Sequence, residues 1–265
     1  MEQLGDAVAA ADGSWSVALS TVQDGDRITA LQIAPDGNTS GLAVNVPVDG
    51  VIIPPPPPDP LAIDDFERTG SDGWGDAVIG GTWNYAGNQA DFSVSGGQGR
   101  VSTAGGQTRE ARLSIGAADV VLTGTLSFDR VPVGGNAFAY VLARQNGTTA
   151  YRASVREATN GAVYVQLKRA VNGVEANITG ETLVSGLNAS SATAIAFRFQ
   201  VVADQLRFRL WAAGGSEPGS WTSSGQDATS GLTDGGGVGI RTYTSGSISN
   251  APVSVALDDF GARLP

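Results

Sequence analysis

Two pairs of aspartates stand near the two ends of the longer part of this chain. Asp64 and Asp65 come near its beginning, and Asp258 and Asp259 come near its end. Four carboxylates brought together repel one another unless a hard cation with oxygen ligands neutralises them, and Ca²⁺ suits such a set. We therefore expect a structural calcium site if the two ends are neighbouring strands. The alternative is that each aspartate ends a strand and binds a backbone N–H or water.

Arginine side chains recur at alternate positions in the later part of the chain. Arg207, Arg209 and Trp211 alternate with apolar residues, and Arg198 is placed in the same way in the preceding segment. In a strand, such alternation turns the two sets of side chains to opposite faces. Guanidinium groups and planar rings suit hydroxyls, carboxylates and sugar rings, which predicts ligand contacts. The alternative is a solvated face whose arginines pair with acidic side chains.

Two further segments extend this pattern. Arg152 and Arg156 alternate with apolar residues in one of them, and Gln166 and Lys168 do so in the other. We expect one sheet to display all of these groups as a cationic, amide-rich face.

Aromatic residues add to the candidate binding set. Trp83 and Tyr85 have flat rings that could stack on the C–H faces of sugars, although most Trp residues in a sandwich belong to the core or anchor loops. The complete candidate ligand-binding set is Trp83, Tyr85, Arg198, Arg207, Arg209 and Trp211.

The composition excludes several functions. The 265 residues include no His and no Cys, which removes the Ser-His-Asp triad, thiol nucleophiles, zinc fingers and disulfides. We predict a protein that is not an enzyme, with no catalytic residues and no cofactor apart from the possible calcium. A net charge of −10 without a basic run disfavours nucleic acid, and no apolar run is long enough to insert into a membrane.

The elements that must position these residues are strands. From residue 61 onward, runs of alternating polarity recur, separated by Gly, Asn, Ser and Thr, and no sustained helical periodicity appears. This predicts an all-β fold, a jelly-roll β-sandwich over residues 61–265. Residues 51–60 contain consecutive prolines, which predict a stiff polyproline linker.

Residues 1–50 predict a small three-stranded segment. Its strands are expected at 14–19, 27–34 and 42–46, with turn clusters between them. Three short strands bury too little surface to be stable alone. We therefore expect another chain to complete this segment, through docking or as a homo-oligomer.

Several motifs resemble known families. Residues 61–263 resemble the concanavalin-like, or laminin-G-like, sandwich modules of actinobacterial extracellular proteins and actinobacteriophage minor tail proteins. The shared motifs are Asp64-Asp65-Phe66-Glu67-Arg68-Thr69, Gly73-Trp74-Gly75, Glu217-Pro218 with Trp221, and Leu257-Asp258-Asp259-Phe260. Residues 12–17, 24–30 and 36–40 resemble part of a bacterial immunoglobulin-like repeat. The related glucanases cleave with a Glu-x-Asp-x-x-Glu strand, and no Glu of this chain occurs in that pattern.

Together these features predict a bacteriophage virion protein on the tail or capsid surface. Its sandwich would contact host cell-surface glycans weakly, and residues 1–50 would dock to other virion proteins within a homo-oligomer, for which a trimer is the candidate state. The first residues do not resemble a secretion signal, which favours assembly in the cytoplasm over secretion. Two alternatives remain open: a capsid decoration protein without a ligand, and an accessory carbohydrate-binding module of a secreted bacterial enzyme.

Overall fold

The structure, a computed structural model, describes residues 59–188 and 193–265, together with residues 26–31 and single positions 8, 17, 33, 46 and 47. The chain divides into two compact units, Met1–Pro57 and Pro58–Pro265. In the first unit, β1 (Arg27–Ile28) pairs antiparallel with β2 (Val46–Pro47). Most of the predicted three-stranded segment and residues 51–58 of the predicted linker lie outside the described residues.

The second unit is built almost entirely of strands. The described part of the chain contains one short 3-10 helix, Gln89–Asp91. The strands are β3 (Pro60–Asp64), β4 (Gly70–Ser71), β5 (Asn84–Ala86), β6 (Phe92–Ser95), β7 (Gln98–Thr103), β8 (Thr108–Ala117), β9 (Val120–Phe128), β10 (Ala137–Asn146), β11 (Thr149–Glu157), β12 (Ala162–Val171), β13 (Val174–Asn177), β14 (Thr182–Asn188), β15 (Ile195–Val202), β16 (Gln205–Ala212), β17 (Ser223–Gln226), β18 (Gly236–Thr244) and β19 (Val253–Arg263).

These strands form two antiparallel sheets. The first sheet has the order β13-β12-β11-β10-β18-β8-β5, and β14 also pairs with β12. The second sheet has the order β17-β16-β15-β9-β19-β7-β6-β4, and β3 also pairs with β19. Strands distant in sequence therefore lie side by side, as β10 and β18 do.

The core lies between the two sheets and explains the alternation in the sequence. Its largest fully buried side chains are Trp74, Trp83, Tyr151, Phe66, Phe92, Phe128, Phe197, Phe199, Phe208, Phe260, Leu113 and Leu122. Burying these rings and branched chains is the main favourable term for the fold, at about 25 cal/mol per Å² of apolar surface.

Turn chemistry fixes the register of the hairpins. Between β12 and β13, Asn172 and Gly173 have φ values of +50° and +82°. Positive φ at both central residues defines a type I′ turn, for which Asn-Gly is preferred. This turn sets Val171 opposite Val174 and brings Glu175 towards the neighbouring strands.

The first and last strands of the second unit are neighbours, as expected from the sequence. β3 runs antiparallel to β19, with Asp64 opposite Phe260 and Ala62 opposite Ala262. The two aspartate pairs are therefore attached to adjacent strands, and the position of each carboxylate decides whether they form one site.

Candidate functional site

Three aromatic side chains lie together on the side of the first sheet that faces away from the core. Phe138 is opposite Tyr243 in the register of β10 and β18, with ring centroids 5.8 Å apart. Phe138 and Tyr140 stack with centroids 6.0 Å apart and an interplanar angle of 7°. We call Phe138, Tyr140 and Tyr243 the aromatic strip.

Tyr140 is the most enclosed member of the strip. It is 6% exposed although it points away from the core between the sheets. Burial raises the pKa of Tyr140 well above its usual value, so the phenol is neutral and can donate a hydrogen bond. Its hydroxyl has no partner among the described residues, and a ligand oxygen could fill that role.

A charged group borders the strip on the β8 side. Glu110 is opposite Arg241 in the register of β8 and β18, and Arg241 Nη1 lies 3.2 Å from Glu110 Oε2. Arg112 Nη1 lies 3.6 Å from Glu110 Oε1, which also accepts a hydrogen bond from the Gln145 amide. We call Glu110, Arg112 and Arg241 the Glu110 cluster.

A second charged group borders the strip on the β12 side. Arg152 Nη1 donates to Glu175 Oε2 at 2.9 Å, and Lys168 Nζ donates to Glu175 Oε1 at 2.7 Å. Burial alone would raise the pKa of Glu175, but the hydrogen bonds from Lys168 and Arg152 outweigh it and lower this pKa. We call Glu175, Arg152 and Lys168 the Glu175 cluster.

One more ion pair stands at the end of the aromatic strip. Arg156, opposite Phe138 on β11, binds Glu181 through two hydrogen bonds of 2.7 and 2.6 Å and lies 4.0 Å above the ring of Tyr164. These bonds lower the pKa of Glu181. The first sheet thus displays aromatic rings between charged groups.

The outward face of the second sheet carries the arginines singled out in the sequence. The predicted alternation is confirmed: Leu206, Phe208 and Leu210 are buried, while Arg207 is exposed and Trp211 is half-buried. The expectation that all the cationic strands share one sheet is wrong. β15 and β16 pair with β9 in the second sheet, whereas β11 and β12 pair with β10 in the first.

Two of the predicted arginines on the second sheet share one carboxylate. Arg198 lies opposite Arg209 in the register, and Arg198 Nε donates to Glu217 Oε1 at 2.5 Å. Arg209 pairs with the same oxygen, and its guanidinium lies 4.3 Å from the centre of the Trp221 ring. Hydrogen bonding from Arg198 lowers the pKa of Glu217.

Trp83 belongs to the core, so its ring cannot serve as a sugar platform. It is 2% exposed, and its ring packs against Trp74 and Phe260 at centroid distances of 5.0 and 5.5 Å.

Tyr85 is half-buried. It lines a cavity of about 590 Å³ with Arg68 and other residues between 68 and 75. Its hydroxyl accepts a hydrogen bond from the backbone N–H of Trp74 at 2.5 Å.

Asp64 is a buried ion-pair residue. Its two oxygens accept hydrogen bonds from Arg68 Nη1 and Nη2 at 2.6 and 2.7 Å. They also accept from the Trp83 indole at 2.6 Å and from the Phe66 backbone N–H at 3.1 Å. Since four donors occupy this carboxylate, it has no lone-pair direction left for Ca²⁺.

The other three aspartates do not complete a calcium site either. Asp65 accepts a hydrogen bond from the Glu67 backbone N–H at 3.1 Å, and Asp258 accepts one from Asp259 at 2.8 Å. Burial, with the charges of Asp259, Glu67 and Asp65, raises the pKa of Asp258. Within residues 59–188 and 193–265, no cluster of three or more acidic side chains could hold a metal ion. The described residues thus bring together no ligand set at these four positions, and calcium binding stays a prediction.

No protein-family model matches the chain, and no curated protein matches it. Solved structures do. The carbohydrate-binding module CBM66 from Bacillus subtilis has 11% identity and a TM-score of 0.50, over 68% of this chain and 94% of that module. A CBM2 module of the evolved Dit of Lactobacillus casei BL23 phage J-1 has 11% identity and a TM-score of 0.51, over 78% and 95%. A Bacillus licheniformis beta-glucanase has 11% identity and a TM-score of 0.50, over 77% and 97%.

The second unit has the concanavalin-like jelly-roll fold. The predicted fold class of the sandwich is thereby confirmed. At 11% identity the likeness concerns the fold alone, and concanavalin-like sandwiches include both carbohydrate-binding modules and glycosidases. Function must therefore be argued from the side chains. Among the described residues, no helix is long and apolar enough to cross a bilayer.

Sequence reasoning missed the aromatic strip and the Glu110 cluster. A signal was present in β10, where the large Phe138 and Tyr140 alternate with the small Ala139 and Val141. In a concanavalin-like sandwich, this places the small side chains in the core and the rings outside. The pairing of Glu110 with Arg241 gives no such signal, because 131 positions separate them in the sequence.

Proposed function

We propose that the sandwich binds a glycan on the outward face of the first sheet and does not hydrolyse it. The observation that carries this proposal is the aromatic strip, in which three neighbouring rings lie between two charged clusters. Aromatic faces pack against the apolar side of a sugar ring, and charged donors and acceptors at the margin bind its hydroxyls.

The state of the acidic groups supports binding over hydrolysis. Glycosidases commonly need two carboxyl groups about 5–9.5 Å apart, one of them held protonated by a raised pKa. Glu175 and Glu181 instead have lowered pKa values and are bound to cations. Both are therefore ionised at neutral pH and poor proton donors.

We further propose that the protein belongs to a bacteriophage virion, on the tail or capsid surface, where the sandwich faces host glycans. Similarity of fold to the CBM2 module of a phage Dit supports this setting, as does the predicted docking segment in residues 1–50. Docking to other virion proteins and a homo-oligomeric state, with a trimer as the candidate, belong to this proposal. Electron microscopy of virions labelled with an antibody against the chain tests it, and particles without label contradict it.

A glycan array probed with the full chain tests the binding site. Tyr243→Ala should weaken retention about tenfold or more, because loss of a central aromatic contact costs about 1.4 kcal/mol or more. Trp211→Ala reports on the outward face of the second sheet, a second proposed surface taken from the sequence, and should leave binding unchanged. Loss of binding in Trp211→Ala alone would move the site to that sheet. Retention of no glycan by the folded protein would refute the proposed function.

A further inference from the structure

We propose that the ligand of the aromatic strip is an anionic glycan, a sugar chain with carboxylate or phosphate groups held by the Glu110 and Glu175 clusters. This inference depends on the proposed function and names the class of sugar. It follows from the charge balance of the face and from the exposure of its cations.

The Glu110 cluster contains one carboxylate and two guanidinium groups. The Glu110 side chain is 6% exposed, whereas those of Arg241 and Arg112 are 29% and 35% exposed. The negative charge is therefore buried beneath two cations that reach solvent. One positive charge remains uncompensated, and a ligand approaching from outside meets the guanidinium groups first.

The Glu175 cluster has the same composition of one carboxylate and two cations. Arg152 is nearly buried, with 7% of its side chain exposed, and its Nε has no hydrogen-bond partner among the described residues. Lys168 donates one of its three N–H groups to Glu175, which leaves two for a ligand. This side of the strip therefore also carries a surplus of positive charge and of donors.

The two clusters border the aromatic strip on opposite strands. In register, Arg241 is opposite Tyr140 on one side, and Ser154 of β11 is opposite Tyr140 on the other. The charges of Glu175, Arg152 and Arg241 all act on the phenol of Tyr140. A sugar ring on the aromatic strip, where Phe138 and Tyr243 are the more exposed rings, thus lies between two positive centres, on a protein whose net charge is −10. A neutral sugar has no negative group to pair with the uncompensated positive charge of either cluster.

The experiment compares one sugar backbone in charged and neutral forms. Oligogalacturonate and its fully methyl-esterified form are titrated against the full chain, and an array adds alginate, sialylated chains and phosphomannan beside neutral glucans, xylans and mannans. We expect retention of acidic members and binding about tenfold weaker for the neutral form of any matched pair. Raising the salt concentration should weaken acidic binding further.

Variants test whether the two clusters cause the preference for acidic chains. Arg241→Gln and Lys168→Gln should each weaken binding of the acidic chain about fivefold or more, and Arg241→Lys should recover part of it because the charge is kept. Arg100→Gln, on β7 of the second sheet, is the matched control and should bind as the parent does. Melting temperatures show which variants remain folded. Lys168→Gln keeps the test decisive if Arg241→Gln unfolds.

The outcomes separate this inference from the proposed function. Preference for acidic chains that Tyr243→Ala and Lys168→Gln both reduce supports the two together. Binding of neutral glycans alone, lost in Tyr243→Ala, overturns the anionic ligand and leaves the glycan site standing. Acidic binding that both cluster variants retain also overturns the inference. Absence of any glycan binding overturns both.

Discussion

The outward faces of the two sheets contain similar charged groups but offer different surfaces to a ligand. On the first sheet Glu175 is shared by Arg152 and Lys168, and on the second Glu217 is shared by two arginines. On the first sheet three rings lie side by side between such groups. On the second sheet, the guanidinium of Arg209 covers the Trp221 ring.

The difference shows that side-chain composition alone does not define a binding face. An aromatic ring is available to a sugar only where no cation of the protein already occupies it. The guanidinium of Arg209, an alternating residue of β16, already packs on Trp221, so this arginine and this ring satisfy each other instead of waiting for a ligand. Phe138 and Tyr243 are in register on adjacent strands, and Tyr140 follows two residues along β10, so the three rings form a continuous strip that one local motif cannot supply.

The strongest predicted change is the loss of the buried Asp64 carboxylate. Asp64→Ala should lower the free energy of unfolding by about 3–5 kcal/mol, because it leaves the Arg68 guanidinium without its partner in a partly buried site. Thermal and denaturant unfolding measure this loss. Asp65→Ala changes an exposed neighbour and should stay close to the parent. If Asp64→Ala were equally stable, the ion pair would not support the sandwich that both faces require.

A second prediction concerns pH and the interior between the faces. Glu157 is fully buried with no hydrogen-bond partner for either oxygen among the described residues, and burial, with the charge of Asp129, raises its pKa to about 8. The unfolded chain releases this proton at a lower pH than the folded chain does. Stability is therefore full below the unfolded pKa and falls as pH rises towards 8.

Glu157→Gln should remove this dependence and raise the free energy of unfolding by a few kcal/mol at pH 8, about 1.4 kcal/mol for each pH unit of the window. Melting curves between pH 4 and 9 measure the effect, with the exposed Glu67→Gln as the control. Parallel curves for parent and Glu157→Gln would contradict the prediction. Glycan binding on either face should be the same in both proteins.

The weakest predicted change concerns the contact between Arg209 and Trp221 on the second sheet. Trp221→Ala removes the ring under Arg209 and should cost about 1 kcal/mol of stability. It should not change glycan binding, because that ring is already occupied by a cation. Unfolding and array binding of the same variant measure both quantities. Weaker glycan binding without a change in the Tyr243→Ala result would show that the second sheet takes part in recognition.

Much of the fold follows from the sequence because strand alternation is local. The alternation at 205–211 predicted a strand directly. The side of this strand that carries Phe208 faces the core. The partition of the strands between two sheets could not be read, since it depends on which distant strands form hydrogen bonds. Arg152 and Arg198 therefore came to lie on different sheets.

The candidate site was less predictable for the same reason. The sequence does not show which way a residue next to a strand turns, and Trp83, just before β5, turns inward, where its indole donates to Asp64. In the sequence, Asp64 resembled a metal ligand, because a carboxylate can bind either a metal ion or a guanidinium group. Arg68, four residues further on, was the local sign of an ion pair.

The pairing of β3 with β19 has a practical consequence. Pro60 is in register with Arg263, so the polypeptide enters and leaves the sandwich at neighbouring points. A domain with adjacent termini tolerates insertion into a surface loop of another protein and circular permutation. A short peptide joining these ends, with a new opening cut in the Gly96-Gly97 turn between β6 and β7, would yield a rearranged chain that retains both faces.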